Sequence, residues 1–380
     1  MTLFPTNYQD IIDRIDSFDP ISYAKSRNYT DGFVSRLSPY ISRGVISTRL
    51  VYERLLKRGF KLYQMEKFVQ ELAWRDFWQR QWQHHGPAIN RDLKHPQQNV
   101  SANGLPRAIQ EASTGIHAID NAIEQLYETG YMHNHLRMYL ASVVCNVGQY
   151  QWRIPAQWMF AYLLDGDWAS NALSWQWVAG ANANKKYWAN QDNINHFCHS
   201  DQWNTFLDFS YEELPEQNVP EVLRDLISDP LYETVKMIDH TAEHNIPEFS
   251  SHKEAICIYT PYNLDPLWRE DLSAHRILLL DPEYFNEYPT ANNVVTFIQD
   301  LATENIPEVK VFKGTFGALK KHFSSSKFYA KEHPALTYPV DVLDPRDWLA
   351  AQAPYKTSFF PYWNNCSKIL KQEPRVAPLG

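Results

Sequence analysis

Glycine is scarce in this 380-residue chain, at 13 residues, and neither GxGxxG nor GxxxxGK[ST] occurs. The common dinucleotide and phosphate-loop fingerprints are therefore excluded. Cysteine numbers only four, Cys145, Cys198, Cys257 and Cys366, widely spaced and without a CxxC pair. That excludes a disulfide framework and predicts a reducing, cytoplasmic setting. No apolar run approaches the roughly 18 residues that span a bilayer, so no membrane partner is expected. The opening MTLFPTNYQDIIDRID lacks a basic stretch followed by an apolar one, so no secretory signal is expected. Internal repeats and low-complexity tracts are missing as well.

What is present is aromatic. The chain carries 13 tryptophans, nine of them within the first 200 residues. Charge is uneven too. The first 200 residues hold 20 Lys+Arg against 17 Asp+Glu, and the remaining 180 hold 16 against 27. The overall charge of −8 argues against indiscriminate nucleic-acid binding, while the split permits a locally basic groove in the first part. A mass of 44.5 kDa is too large for one core and predicts at least two domains.

Periodicity separates the two parts. Residues 63–83 place Met65, Phe68, Leu72, Phe77 and Trp78 at helical spacing, and His84-His85-Gly86-Pro87 stops the pattern. Residues 115–130 repeat it with Ile116, Ile119, Ile123 and Leu126, ending at Gly130. Another helix is expected from His133 to about Gly148, and a further one opening near Pro155. No strand-like alternation persists before residue 200, so residues 1–200 read as an all-helical domain. Residues 201–250, rich in Pro, Glu and Asp, read as a connector, with Leu223, Leu226 and Leu231 in short turns. Beyond it, AICIY (255–259), RILLL (276–280), VKVF (309–312) and KFYA (327–330) read as strands, with a helix over 294–304. The expected fold is multidomain: a helical domain, then a smaller Rossmann-like parallel α/β domain over 251–380.

Four polar-aromatic clusters stand out. In Leu164–Trp177 (LDGDWASNALSWQW), two acids flank a glycine, then an asparagine and tryptophans follow. The segment is either a helix capped by Asp167 with core tryptophans, or a polar floor beneath a planar aromatic ligand. Ser35–Gly44 (SRLSPYISRG) alternates hydroxyls and arginines before a helix, which suits phosphate oxygens or simple capping. Glu71, Trp74, Arg75 and Trp78 share a helix face, either a core edge or a surface for stacking bases. Asn134, Arg137 and Met138 sit one turn apart. A fifth group, His196-Phe197-Cys198-His199, offers metal-ligand chemistry at an unsuitable spacing and reads as a loop with incidental histidines, with no metal.

Together the four clusters resemble the photolyase/cryptochrome flavoproteins, from about Tyr23 to Trp188. SRLSPYISRG, ELAWRDF, GYMHNHLRM and DGDWASNALSWQW occur in that family's order. The resemblance implies a helical FAD-binding domain. It implies that Tyr23, Ser35, Arg36, Leu37 and Ser38 hold the FAD phosphates and ribityl chain, that Arg75, Asn134 and Arg137 bracket the flavin, and that Asp165 and Asp167 meet its polar edges. Asn171 matches the residue facing flavin N5. Glu71, Trp74, Met138 and Trp177 match the surface for a flipped pyrimidine dimer, with Glu71 and Asn171 serving catalysis. Trp175 and Trp152 match the first two members of an electron-transfer triad. The implied activity is that of a deoxyribodipyrimidine photo-lyase acting on UV-damaged DNA. The alternative it allows is a blue-light photoreceptor that binds FAD and signals to a protein partner.

Departures accompany the match. Val34 replaces a usual threonine, and Tyr131 a usual tryptophan. The third triad position falls near Asn99, which leaves Trp158 or Tyr150 as substitutes. His135 and Asn190 stand where relatives carry phosphate-gripping arginines, which Lys185 and Lys186 could replace if they are more than solvated loop lysines. Relatives place an α/β antenna domain first, whereas here the α/β-like segment follows. It is expected to be antenna-like and to be capable of carrying a second, antenna chromophore.

Overall fold

The structure, a computed structural model, describes residues 3–230, 246–250 and 253–373. The chain divides into two compact units that interleave in sequence. One comprises Met1–Ile21, Ser35–Arg80 and Met237–Gly380, and the other Ser22–Val34 and Gln81–Lys236.

The second unit is mainly helical, with helices His117–Thr129, Asn134–Ser142, Arg153–Tyr162, Trp168–Val178 and Gln191–Cys198. Their ends follow local chemistry. Gly130 closes the first at φ +69°, a left-handed conformation that suits glycine, and a Cβ there would lie 2.5 Å from Leu164 Cγ. His133 Nδ1 accepts from His135 N at the start of the next, which continues into a buried π-turn over Val143–Val147. Asp167 caps Trp168–Val178 by accepting from Ser170 N at 2.6 Å. The expectation of no strand before residue 200 needs a correction. Leu105–Pro106 pairs antiparallel with Leu226–Ile227. Two residues, one a proline without an N–H, are too few to leave an alternating pattern.

The expected connector is tied to this unit up to residue 227. Gln202 Nε2 donates to Gly115 O (2.7 Å), Tyr150 Oη to Leu223 O (2.8 Å) and Arg107 Nε to Asp225 (2.8 Å). Leu223 ends a 3-10 turn, Leu226 lies in the short ladder, and Leu231 falls outside the described residues.

The first unit joins helices Tyr8–Ser17, Thr48–Lys57 and most of Leu62–His85 to a five-stranded sheet. The strands are Ala255–Tyr259 (β1), Ala274–Leu280 (β2), Lys310–Lys313 (β3), Lys327–Lys331 (β4) and Val342–Asp344 (β5). Every pairing is parallel, in the order β3-β2-β1-β4-β5. The central β1 is buried at all five positions, as a strand covered on both faces must be. Ile256, Ile258, Ile277, Leu279, Phe312, Phe316, Leu319 and Phe328 form one core. The strands expected at 255–259, 276–280, 309–312 and 327–330 are all present, and β5 adds a fifth. Helix Asn292–Asn305 links β2 to β3, and Phe316–His322 links β3 to β4. The molecule is thus mixed helical and α/β. No described helix is long and apolar enough to cross a membrane.

Candidate functional site

In the second unit Asp165, Asp167 and Asn171, expected to meet a flavin, are buried and already oriented. Arg137 Nη2 donates to both Asp165 oxygens, at 3.1 and 3.0 Å, while its Nε donates to Met132 O. Asp165 is buried, so its charge needs this partner. Asp167 is committed to its helix cap, as the simpler reading of that cluster expected. Asn171 is buried and its Nδ2 donates to Ala156 O at 2.7 Å. That bond fixes the amide so that its oxygen is the remaining acceptor. Asn134 is exposed, with Nδ2 3.9 Å from Met138 Sδ. Arg27 lies over the Tyr23 ring at 5.8 Å. Trp177 is 39 % exposed and tilted against Tyr187 at 5.7 Å between centroids.

The tryptophans expected to conduct electrons are interior. Trp152 is wholly buried and donates its indole N–H to Asp92 at 2.7 Å, and Trp175 is buried. Of the substitutes for a third member, Trp158 donates to Tyr127 Oη at 3.2 Å, and Tyr150 is tied to the Leu223 carbonyl. His135 lies between Tyr139 and Phe197 at 5.0 and 4.8 Å, and burial lowers its pKa. Asn190 caps Gln191–Cys198 and donates to Phe209 O. Lys186 is half-buried and donates to Gln98 O at 2.9 Å, which differs from the solvated lysine the sequence allowed. In the histidine loop, His199 stacks on Tyr29 at 5.2 Å and bonds Asp31, and His196 meets Tyr29 Oη.

In the first unit, Ser35 Oγ accepts from Leu37 N at 3.3 Å, and Arg36 is held at φ +52°, unusual for a side chain without a local amide. Leu37 is buried and precedes the short helix Ser38–Ser42. Arg75 donates to Ser42 Oγ at 2.6 Å, drawing two of the sequence clusters together. Beside it Asp76 is buried, accepting from Thr48 Oγ1 (3.1 Å) and Leu349 N (2.7 Å). Burial pushes its carboxyl up to about 6, although both donors oppose the shift. Glu71 and Trp74 share this helix. The Trp74 ring stacks flat on Phe359, at 3.6 Å and 7°, and tilts against Trp78 at 5.0 Å.

Ser42, Asp92, Ala156 O and Phe359 were not singled out from sequence as partners of these residues. Ser42 was within reach, because it is the third serine of SRLSPYISRG. The others offer no local pattern: one is a main-chain carbonyl and two are remote in sequence.

The chain is similar to known proteins over part of its length. The FAD binding domain of DNA photolyase matches residues 68–246. The deoxyribodipyrimidine photo-lyase of Alkalihalophilus pseudofirmus is 32 % identical over 154 residues, covering 38 % of this chain and 31 % of that protein. The Thermus thermophilus enzyme is 36 % identical over 164 residues, covering 42 % and 38 %. An archaeal photolyase from Sulfolobus tokodaii, solved with two FAD molecules, aligns at TM-score 0.45 and 26 % identity over 51 % of this chain and 45 % of that one. The chain therefore spans about a third of the length of these curated relatives. Residues 68–246, a little under half of the chain, are thus similar to the FAD binding domain of DNA photolyase.

Proposed function

We propose that the chain is a light-driven photolyase-like flavoprotein that splits cyclobutane pyrimidine dimers in UV-damaged DNA. The observation that carries this is the buried row Asp165, Asp167 and Asn171, fixed by Arg137, Ser170 N and Ala156 O in turn, inside the matched region. A carboxylate held by an arginine suits ring and ribityl donors, and an oriented amide oxygen suits a flavin N–H. These residues fit FAD. Arg75, Asn134 and Arg137 would flank the ring, and Tyr23, Ser35, Arg36, Leu37 and Ser38 would take the phosphates and ribityl chain. When bound and reduced, FAD supplies a photoexcited electron donor. Asn171 would keep a neutral acceptor, and no carboxyl proton, at that edge. Trp177, Trp74 and Met138 would receive the flipped dimer, and Glu71 would hydrogen-bond it. Trp175 and Trp152 would refill the flavin, with the Asp92 carboxylate favouring transient positive charge on the Trp152 indole.

The division of labour we infer is a FAD-binding part over 1–200, a connector over 201–250 and an antenna-like part over 251–380. The parallel order β3-β2-β1-β4-β5 supports a Rossmann-like antenna fold placed after the flavin domain, with room in its chemistry for a second chromophore. The four cysteines stand free, which fits the cytoplasm.

A second reading has its own support. His135 is packed between rings and Asn190 is spent on a helix cap, so neither position offers a cation to DNA phosphates. That favours a cryptochrome-like photoreceptor with a protein partner. One assay separates the two. With FAD chemically reduced, illuminated protein should deplete dimers from an irradiated oligonucleotide while a dark control does not. Flavin-loaded protein that leaves dimers intact would select the photoreceptor.

A further inference from the structure

Trp74, proposed above to stack on a flipped pyrimidine, already has an aromatic ring on one face. Phe359 lies parallel to it at 3.6 Å and 7°, the geometry of a stacked base. Phe359 is 4 % exposed and also meets Phe77 edge-on at 5.8 Å. It is the first residue of helix Phe359–Gln372, and the Ser358 side chain makes no capping bond to that helix. Further along, Tyr362, Trp363, Cys366 and Leu370 are buried. Arg49 ties the helix end through Glu373, and Leu349 N is held by Asp76. Lifting the whole helix would expose six buried side chains, whereas unwinding its first turn, which lacks a side-chain cap, exposes two, Phe359 and Tyr362.

We propose that Phe359 is an intramolecular competitor for the stacking face of Trp74, which an incoming pyrimidine must displace by opening only the first turn of the C-terminal helix. This rests on the reading of Trp74 as a lesion-stacking residue. Phe359 then raises the threshold that any base must meet to occupy this face, while unstacking sets the preference. An intact base pays both its unstacking from the duplex and the displacement of Phe359. A dimer, already poorly stacked, pays mainly the second.

The test is binding of a single-dimer oligonucleotide, at one fixed salt concentration, to the full chain and to Phe359→Ala, Phe359→Leu, Trp74→Ala and the Phe359→Ala/Trp74→Ala pair. Stacking on an aromatic side chain is worth about 1–3 kcal/mol, so removing the competitor should tighten binding about fivefold or more. Phe359→Leu fills the volume without a planar ring and should also tighten it, which guards against a variant that simply unfolds. The gain should vanish in the Trp74→Ala background. If Trp74→Ala weakens binding but neither Phe359 variant strengthens it, the inference is overturned and the photolyase reading survives. A gain that persists without Trp74 also overturns it. If no protein binds the oligonucleotide, both fall.

Discussion

Asp76 and His333 pull stability in opposite directions with pH. The buried Asp76 carboxyl titrates near 6 when folded, against an ordinary 3.8. The folded chain therefore holds this proton more tightly. Its contribution to stability is complete below about pH 4 and is lost as pH rises through 6, by about 3 kcal/mol at most. Asp76→Asn should flatten the dependence of Tm on pH between 4 and 6; an unchanged slope would clear Asp76. His333 is buried against Tyr262 (3.8 Å, 6°), and burial, with Arg346 and Arg43 nearby, holds its pKa well below 6.5. Its contribution is present above 6.5 and lost as pH falls, by about 1.4 kcal/mol per pH unit. His333→Phe keeps the ring contact and should remove that acid limb, as thermal melts at pH 5 and 7 would reveal. Neither residue was singled out from sequence. A histidine and an aspartate have no marked pattern until their surroundings are known.

At the scale of elements, the helices and strands were readable where one local rule dominated. β1 and the Ile277–Leu280 end of β2 are unbroken apolar runs, so a buried parallel sheet was the natural expectation. Gly130 and Asp167 acted as the stop and start that their chemistry suggests. The Leu105–Pro106 ladder and β5 were missed, because two or three residues carry no period. Gly130 is the sharpest test of the helical unit. Alanine there would combine a positive φ with a Cβ 2.5 Å from Leu164 Cγ. Gly130→Ala should destabilise folding by about 2–4 kcal/mol in chemical denaturation. A loss below 1 kcal/mol would mean that the Leu164 segment relaxes freely.

Across the whole molecule, chain order concealed how the parts assemble. The expected boundaries at 200 and 250 follow composition, while compactness groups Met1–Ile21 and Ser35–Arg80 with the sheet-bearing segment. Thr6 and Tyr8 bond Glu304 and Asn305, contacts that no periodicity announces. The candidate site was legible as motifs because the resemblance fixes residue order. Its internal wiring was not, since Ala156 O, Asp92 and Phe359 belong to other segments. Cofactor retention is the most direct test. The 380-residue chain, exposed to FAD and passed through gel filtration, should keep about one flavin per chain, and Arg137→Ala should keep much less. Protein that melts cooperatively yet emerges without bound flavin would contradict the proposed function.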